Sequence, residues 1–295
     1  MTTFAKSTFS AASYAAFRPT YPPQLYTLLL NYHRGPRTLV LDLGAGHGLI
    51  ARALAPSFDR IMSTDPSPNM VAQATAQTPA DKYPNVSYKQ ASAEDLTFLP
   101  ESSVDMIVSG QAAHWFDYAK AWPQMARVLR PGATLALWCY KDHVFVSYPR
   151  ASKVFIEWIY GDSKERLGPY WEPGRQIVRQ NYRPIQPPKN VFDEVSRVEY
   201  EPGTEGPGSG EGDVLMQKRM TLGQSMEYMR TWSSVHAWQE ANGNPKARKD
   251  GGEGDVVDHM YDDMRAVEEG AWKDDDMEVD VEWGSSVVLA RKREG

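Results

Sequence analysis

The chain has 295 residues, 41% of them hydrophobic, so it can bury one sizeable core, and one elaborated domain is expected rather than two. Its formal net charge of −6 excludes a general attraction to nucleic acid or to an anionic membrane, and no apolar run is long enough to cross a bilayer. The single cysteine, Cys139, excludes an internal disulfide framework and suits a reducing compartment, so a cytoplasmic protein is expected.

An aromatic-rich segment, residues 1–37, precedes the first predicted strand. Two interpretations remain open for it. Its aromatic side chains either cover an edge of a sheet, or Tyr14, Arg18 and Tyr21 belong to a lid over a ligand pocket. In the second case Arg18 would hold a carboxylate through paired hydrogen bonds, and the prolines that follow Arg18 and Tyr21 would stiffen the lid.

A strand, a glycine-rich turn and a helix are predicted over residues 38–55. An apolar run of strand length ends in three glycines at alternate positions, and helix-period residues begin at Leu49. Such glycines let a nucleotide-like ligand approach the backbone N–H groups at a helix start. Gly44 and Gly46 fit the dinucleotide fingerprint G-x-G-x-x-G, but its third position falls on Leu49 and the extra glycine is Gly48. This spacing argues against NAD.

Two acids mark the ends of the first two predicted strands. Asp42 lies where a buried parallel strand is otherwise apolar, and burying a carboxylate costs free energy unless a group binds it. Asp65 ends a second short strand about twenty residues beyond the glycines, where ribose hydroxyls bind in nucleotide-binding folds. Ser67 and Pro68 predict the cap and first turn of the next helix.

Strands and helices alternate from residue 38 to residue 138. The predicted strands lie at 38–43, 60–64, 85–89, 104–109 and 133–138. This alternation predicts an α/β fold in which a doubly wound, mostly parallel sheet is covered on both faces and binds ligands at the carboxyl ends of its strands.

Beyond residue 140 the pattern is looser. Helical spacing or a capping pattern predicts helices within 151–160, 171–178, 221–232 and 257–267, and apolar runs predict strands at 195–201 and 286–290. The stretches 202–213 and 242–255 are too polar to fold alone and are predicted to be flexible loops.

Five segments resemble, in order and spacing, the class I S-adenosylmethionine (SAM)-dependent methyltransferases: Leu41–Gly48, Asp65–Met70, Ser92–Leu96, Val104–Val108 and Val128–Gly132. The resemblance implies a Rossmann-like α/β fold with a mostly parallel, seven-stranded sheet, and SAM as the cofactor. It further implies a helical lid over 1–37, a SAM-binding core over 38–140, and substrate-roof helices and closing strands of the same domain over 141–295.

The same resemblance implies which residues bind the cofactor. The glycine turn and the two acids would hold it, the segment after the third strand would line the adenine, and Gln111 would pack on the methionine part. With the lid tyrosine, the predicted cofactor-binding residues are Tyr14, Asp42, Gly44, Ala45, Gly46, Gly48, Asp65, Pro66, Ser92, Ala93, Glu94 and Gln111.

Three segments, 14–22, 113–116 and 228–234, resemble the trans-aconitate methyltransferase branch with its fungal relatives, whose members make methyl esters of small carboxylic acids. A carboxylate acceptor is ionised near neutral pH, so it needs a cation rather than a general base. The candidate cations are Arg18, Arg175 and Arg230, with Arg230 predicted to be catalytic.

His114 and Trp115 follow the fourth predicted strand, where acceptor and transferable methyl would meet. They are either a packed pair or acceptor-facing residues, and His114 is the candidate base if the acceptor is a hydroxyl, thiol or amine. Trp115 and Trp232 are the predicted aromatic contacts of the acceptor, although core packing is the default for a tryptophan.

The sequence therefore predicts a SAM-dependent methyltransferase whose acceptor is a small molecule, a carboxylic acid above all. One alternative is an O-, N- or S-methyltransferase of a larger natural product, and another is a non-catalytic SAM-binding domain. No Cys, His and acid cluster has metal-ligand spacing, and no serine motif suggests a hydrolase. The sequence does not indicate an oligomeric state and is compatible with a monomer.

Overall fold

A computed structural model describes residues 17–294, which form two compact units. The sheet unit comprises Thr20–Lys141, Gln176–Glu199 and the described residues from Ser285 onward. The helical unit comprises residues 17–19, Asp142–Arg175 and Tyr200–Gly284.

The strands of the described range are β1 (Leu39–Leu43), β2 (Arg60–Asp65), β3 (Val86–Gln90), β4 (Val104–Gly110), β5 (Leu129–Phe145), β6 (Phe192–Tyr200), β7 (Gln217–Thr221) and β8 (Glu278–Lys292). The α-helices that lie wholly within it are α1 (Pro23–Tyr32), α2 (Leu49–Leu54), α3 (Pro68–Ala76), α4 (Tyr118–Val128), α5 (Pro149–Tyr160), α6 (Arg175–Arg179), α7 (Leu222–Arg230), α8 (Ser233–Ala241) and α9 (Val256–Val267).

The strands of the sheet unit are hydrogen bonded in the order β3-β2-β1-β4-β5-β8-β6. β1 pairs in parallel with β2 and β4, β2 pairs in parallel with β3, and β4 does so with β5. The predicted doubly wound, mostly parallel sheet is confirmed, and the carboxyl ends of β1 to β4 meet at one edge. β7, which was not predicted, pairs antiparallel with β8 in the helical unit, so the sheet of the described residues has eight strands rather than the predicted seven.

Local sequence signals place several helix starts where they were predicted. The Ser67 hydroxyl accepts a hydrogen bond from the Met70 N–H and caps α3. Thr221 and Gln224 form a reciprocal capping box at the start of α7. These caps satisfy N–H groups that have no partner within their own helix.

Several elements differ from the predicted bounds. β8 spans Glu278–Lys292 rather than 286–290, and the helix predicted over 221–232 ends at Arg230, after which α8 begins at Ser233. β5 begins at Leu129 rather than at residue 133, because the Arg130-Pro-Gly132 turn is absorbed into an irregularity of the strand, where the β4–β5 register shifts and Gly132 has a φ of +74°. α6 begins at Arg175 rather than at Trp171, because Pro173 disfavours helical backbone in the residue before it.

A buried carboxylate anchors the amino-terminal end of the sheet. Asp105 Oδ2 accepts hydrogen bonds of 2.8 Å from the backbone N–H groups of Thr38 and Leu39, and its Oδ1 pairs with Arg130 at 2.5 Å. Around this anchor the apolar strands pack in a core that includes Leu41 and Ile107. The opposite ends of β1 and β2 are thereby held in place for the side chains described next.

Candidate functional site

The glycine turn after β1 follows a left-handed path. Gly44, Gly46 and Gly48 have φ values of +74°, +54° and +84°, a region that side chains disfavour. A Cβ at Gly44 would collide with Ala112. The Gly44 and Ala45 N–H groups donate to the Thr64 carbonyl at 2.8 and 2.9 Å, which ties the turn to β2.

Asp65 connects the glycine turn to the helix after β2. Its Oδ2 accepts from the Gly46 N–H and its Oδ1 from the Ser67 N–H, both at 2.9 Å. Burial raises the pKa of Asp65, and the two N–H donors oppose that rise. A carboxylate oxygen has two lone pairs, so Asp65 can accept further hydrogen bonds from ligand hydroxyls.

Asp42 lies on the neighbouring strand, directly beside Ser63 in the parallel register. Its side chain is fully buried; Oδ2 accepts from the Ser63 hydroxyl at 3.3 Å, and Oδ1 has no hydrogen-bond partner among residues 17–294. Burial raises the pKa of Asp42 to about 7, the negative charge of Asp65 adds to the rise, and the Ser63 bond opposes it.

An orphaned buried carboxylate oxygen fits a cationic ligand, because a charge in the interior is costly without a partner. SAM carries two cationic centres, a sulfonium and an ammonium, and ribose hydroxyls. Asp42 and Asp65 lie at the same edge of the sheet and offer one group for each kind of contact. The residues present therefore fit SAM.

Ser63 is the residue of this cluster that the sequence reasoning missed. Its signal was a hydroxyl inside an otherwise buried strand, where it is 0% exposed. A buried hydroxyl needs a partner, and here that partner is Asp42.

The segment after β3, which is predicted to line the adenine, also makes a hydrogen bond that holds the start of α4. Ala93 is buried, and Glu94 Oε1 accepts a 2.8 Å hydrogen bond from the Asp117 N–H immediately before α4. Ser92 is half-buried, and the Pro66 carbonyl accepts from Gln90. The adenine contacts of Ser92, Ala93 and Glu94 stay a prediction.

Gln111 follows β4 with a φ of +59°. Its Nε2 donates to the Tyr140 carbonyl at 2.7 Å, and its Oε1 accepts from the Tyr140 N–H at 3.0 Å. Both ends of the amide are therefore bound to β5, and Gln111 joins two strands. Its packing on the methionine part of the cofactor stays a prediction.

His114 and Trp115 lie in a short 3₁₀ helix, Ala113–Trp115, with their ring centroids 4.6 Å apart. His114 Nδ1 lies 3.0 Å from the hydroxyl of Tyr182. Tyr182 was not predicted, since no motif surrounds it and 68 residues separate the pair in sequence.

Of the three predicted lid residues, the structure describes Arg18 and Tyr21. Tyr14 lies outside the described residues. Tyr21 packs edge-on against Trp138, with ring centroids 5.3 Å apart, near the end of the β5 segment in the sheet unit. Arg18 belongs to the helical unit, where its Nη2 donates to the Thr231 carbonyl at 3.3 Å and its guanidinium lies 5.6 Å from the Tyr228 ring centre.

Arg175, in the helical unit, is oriented by a carboxylate, a hydroxyl and an aromatic ring. Its Nη2 pairs with Asp142 and lies 3.2 Å from the Tyr160 hydroxyl, which itself donates to Asp142. Its guanidinium lies 4.3 Å from the Trp171 ring centre, and Trp171 packs on Trp232. Arg175 Nε is buried and has no hydrogen-bond partner in the described part of the chain.

Arg18 and Arg175 both lie near the phenol of Tyr228. Burial raises the pKa of Tyr228, and the positive charges of Arg18 and Arg175 both oppose the rise. Trp232 packs against Tyr228 at 5.5 Å and is itself buried. The structure thus brings together three of the predicted acceptor-binding residues, Arg18, Arg175 and Trp232.

Arg230 is placed differently from its predicted catalytic role. Its three nitrogens bind Glu227 at 2.8 Å, Asp255 at 2.7 and 3.1 Å, and Asp258 at 2.8 Å. Asp255 and Asp258 form the capping box of α9, so Arg230 joins the end of α7 to the start of α9. With three carboxylates around it, the geometry favours a structural role for Arg230 over a catalytic one.

Within residues 17–294, no group of three or more His, Cys, Asp and Glu side chains could hold a metal ion. Over the same range, none of the helices has the length and apolar character needed to span a membrane.

Comparisons with known proteins identify methyltransferases as similar to this chain. A family profile described as a methyltransferase domain matches residues 41–137. The chain is 27% identical to the candidate SAM-dependent methyltransferase CRG1 of Saccharomyces cerevisiae, over 99% of each chain. It is 36% identical to an uncharacterised methyltransferase of Mycobacterium tuberculosis, over 45% of this chain and 51% of that one.

Among solved structures, a candidate type II methyltransferase from Anaeromyxobacter dehalogenans is 28% identical, with a TM-score of 0.69 over 93% of this chain and 98% of that one. The Haemonchus contortus phosphoethanolamine N-methyltransferase 2, solved with SAM, shares the fold at 16% identity and a TM-score of 0.52, over 98% of this chain and 59% of that one.

We expect Asp65→Asn to weaken SAM binding by about 1–3 kcal/mol, because an acceptor that serves both the turn and the ribose is lost. Equilibrium dialysis with labelled SAM measures the change. Asp59→Asn is the matched control, since it alters an exposed carboxylate immediately before the other end of β2. Equal affinity in the two variants would show that Asp65 does not contact the cofactor.

We also expect SAM affinity to depend on the ionisation of Asp42. With a pKa of about 7, Asp42 is protonated at pH 6 and ionised at pH 8, so affinity for the cationic cofactor should fall by about tenfold from pH 8 to pH 6. Titration calorimetry at both pH values measures this. Asp42→Asn should bind more weakly and lose the dependence; the same slope in variant and wild type would assign it to another group.

Proposed function

We propose that this chain, which belongs to the class I S-adenosylmethionine-dependent methyltransferases, transfers the methyl group to a carboxylate of a small organic acid and so makes a methyl ester. The single observation that carries the choice of acceptor is Arg175. Its guanidinium is oriented by Asp142 and stacked on Trp171, with a buried Nε–H left over. Such a group suits a planar carboxylate.

Residues of the sheet unit would hold the cofactor. Asp65 would accept from the ribose hydroxyls, the glycine turn would admit the nucleoside to the backbone, and Asp42 would face a cationic centre. When bound, SAM supplies an electrophilic methyl group on a positively charged sulfur. The ionised Asp42 then compensates positive charge in a site from which water is excluded.

Residues of the helical unit would bind the acceptor. Arg175 and Arg18 would supply the positive charge, while Trp171, Trp232 and Tyr228 would form apolar walls. A carboxylate is already ionised at neutral pH, so orientation rather than proton removal limits its reaction.

The orientation of Arg175 depends on its neighbours. Asp142 and Arg175 are both largely buried, with side-chain exposures of 11% and 13%. Because Asp142 also accepts from Tyr160, the carboxylate is fixed from two sides. The guanidinium therefore needs little further ordering when an acceptor binds, which lowers the entropic cost of binding.

The acceptor class is tested with methyl-labelled SAM and a panel of mono-, di- and tricarboxylic acids, with the corresponding amides, a phenol and a primary amine as comparison. We expect label to pass to an acid and not to its amide. Mild alkali should release the label as methanol, because esters hydrolyse readily. Transfer only to the phenol or amine, or an alkali-stable product, would contradict the carboxylate proposal.

We expect Arg175→Lys to raise the acceptor KM about 10- to 100-fold while SAM affinity is retained, since lysine keeps the charge beside Asp142 but loses the planar fork and Nε–H. Steady-state kinetics and dialysis measure the two quantities.

Arg166→Lys is the matched control, because Arg166 also stacks on a tryptophan, Trp158 at 3.9 Å, and pairs with a carboxylate. A similar rise in KM in both variants would remove Arg175 from the acceptor site.

A further inference from the structure

The contact between Tyr182 and His114 lies at the edge of the sheet that carries Asp42 and Asp65. Tyr182 is 0% exposed and its backbone has a left-handed φ of +57°. Its hydroxyl oxygen lies 3.0 Å from His114 Nδ1. A hydrogen bond at this distance can run in either direction, and the direction decides which ring nitrogen of His114 carries the proton.

The phenol keeps its own proton. Burial raises the pKa of Tyr182 well above its ordinary value, and the neighbouring Cys139, Tyr118 and Tyr21 add to the rise. All of these side chains are ordinarily neutral at pH 7. The Tyr182 hydroxyl is therefore an intact donor at neutral pH.

That donor has one acceptor in reach. In the described range, His114 Nδ1 is the acceptor found within hydrogen-bond distance of the Tyr182 hydroxyl. A buried hydroxyl that donated to nothing would cost about 1–3 kcal/mol. Because the phenol keeps its proton and this ring nitrogen is the acceptor in reach, we assign the hydroxyl as the donor and Nδ1 as the acceptor.

We propose that Tyr182 fixes neutral His114 with its proton on Nε2, so that His114 serves methyl transfer as a hydrogen-bond donor and not as a base. Nδ1 is then occupied as an acceptor, and Nε2 carries N–H. His114 touches the acceptor in this scheme, and Tyr182 is a positioning residue that acts through it.

A histidine that donates a hydrogen bond suits a carboxylate as methyl acceptor, but not a hydroxyl or an ammonium group. An Nε2–H can bind one oxygen of a carboxylate and orient the other toward the methyl group, with no proton transferred. A hydroxyl or ammonium acceptor must lose a proton, which a nitrogen that already carries hydrogen does not accept. This assignment of a role to His114 rests on the proposed function, whereas the position of the proton does not.

The position of the proton is measured by long-range ¹H–¹⁵N NMR of histidine-labelled protein without acceptor, with His114→Gln used to assign the signal. We expect an unprotonated Nδ1 and a protonated Nε2 in the wild type. Tyr182→Phe should shift His114 toward a mixture of tautomers. Tyr118→Phe is the matched control, because its hydroxyl donates to the Ala113 carbonyl in the same turn and not to the histidine.

A protonated Nδ1 in wild-type protein would overturn the proposal whether or not any acid is methylated. Conversely, failure of every acid as acceptor would reject the proposed function and leave the NMR result standing.

Kinetics separate a donor from a base once an acceptor is known. At saturating SAM, we expect kcat/KM for the acceptor to persist as the pH falls through the range in which a histidine is ordinarily protonated, because an imidazolium still carries Nε2–H. His114→Gln, which keeps a donor, should retain more activity than His114→Ala, and Tyr182→Phe should lose about two- to tenfold. Loss of activity on protonation, or equal loss in the Gln and Ala variants, would show that His114 is a base.

Discussion

The hydrogen bond from the Gly46 N–H to Asp65 is the interaction on which the cofactor site depends. One carboxylate accepts from the glycine turn after β1 and from the first residues after β2, at 2.9 Å each. Two loops that would otherwise move separately are thereby held in one arrangement. The bonds also offset part of the cost of burying the carboxylate. Since each oxygen retains a lone pair, the group that orders the turn can also bind a ligand.

The charged side chains differ in how many of their polar atoms have a hydrogen-bond partner within the protein. We use this difference to distinguish structural residues from candidates for ligand binding. Arg230 is surrounded by three carboxylates and joins two helices. Asp105 accepts from two backbone N–H groups and an arginine, and it anchors the start of β1. Asp42 is fully buried and the Arg175 side chain is 13% exposed, yet each has a buried atom without a hydrogen-bond partner in residues 17–294. A ligand that bound at these two atoms would complete their hydrogen bonding, because buried polar groups are normally paired.

Arg175 is the candidate cation for a carboxylate acceptor because its orientation is already fixed by its neighbours. The Trp171 ring packs against the Arg175 guanidinium, and Asp142 with Tyr160 fixes its orientation. The contact between Tyr182 and His114 adds a second constraint, because a fixed tautomer decides whether a residue donates or accepts. A carboxylate can bind an oriented cation such as Arg175, and it needs no base because it is already ionised near neutral pH.

The sequence by itself determined the α/β fold, the glycine turn, the two acids at the strand ends and the caps of α3 and α7. These features depend on hydrophobic periodicity, backbone conformation and side-chain-to-backbone bonds between near neighbours, all of which are local. Only the tertiary structure decided that Ser63 supports Asp42, that Gln111 is bound to β5, that Arg230 is saturated by carboxylates and that Tyr182 contacts His114. Those outcomes depend on which side chains meet across tens of residues, and a polar residue type looks the same in sequence whether its partner is the protein or a ligand.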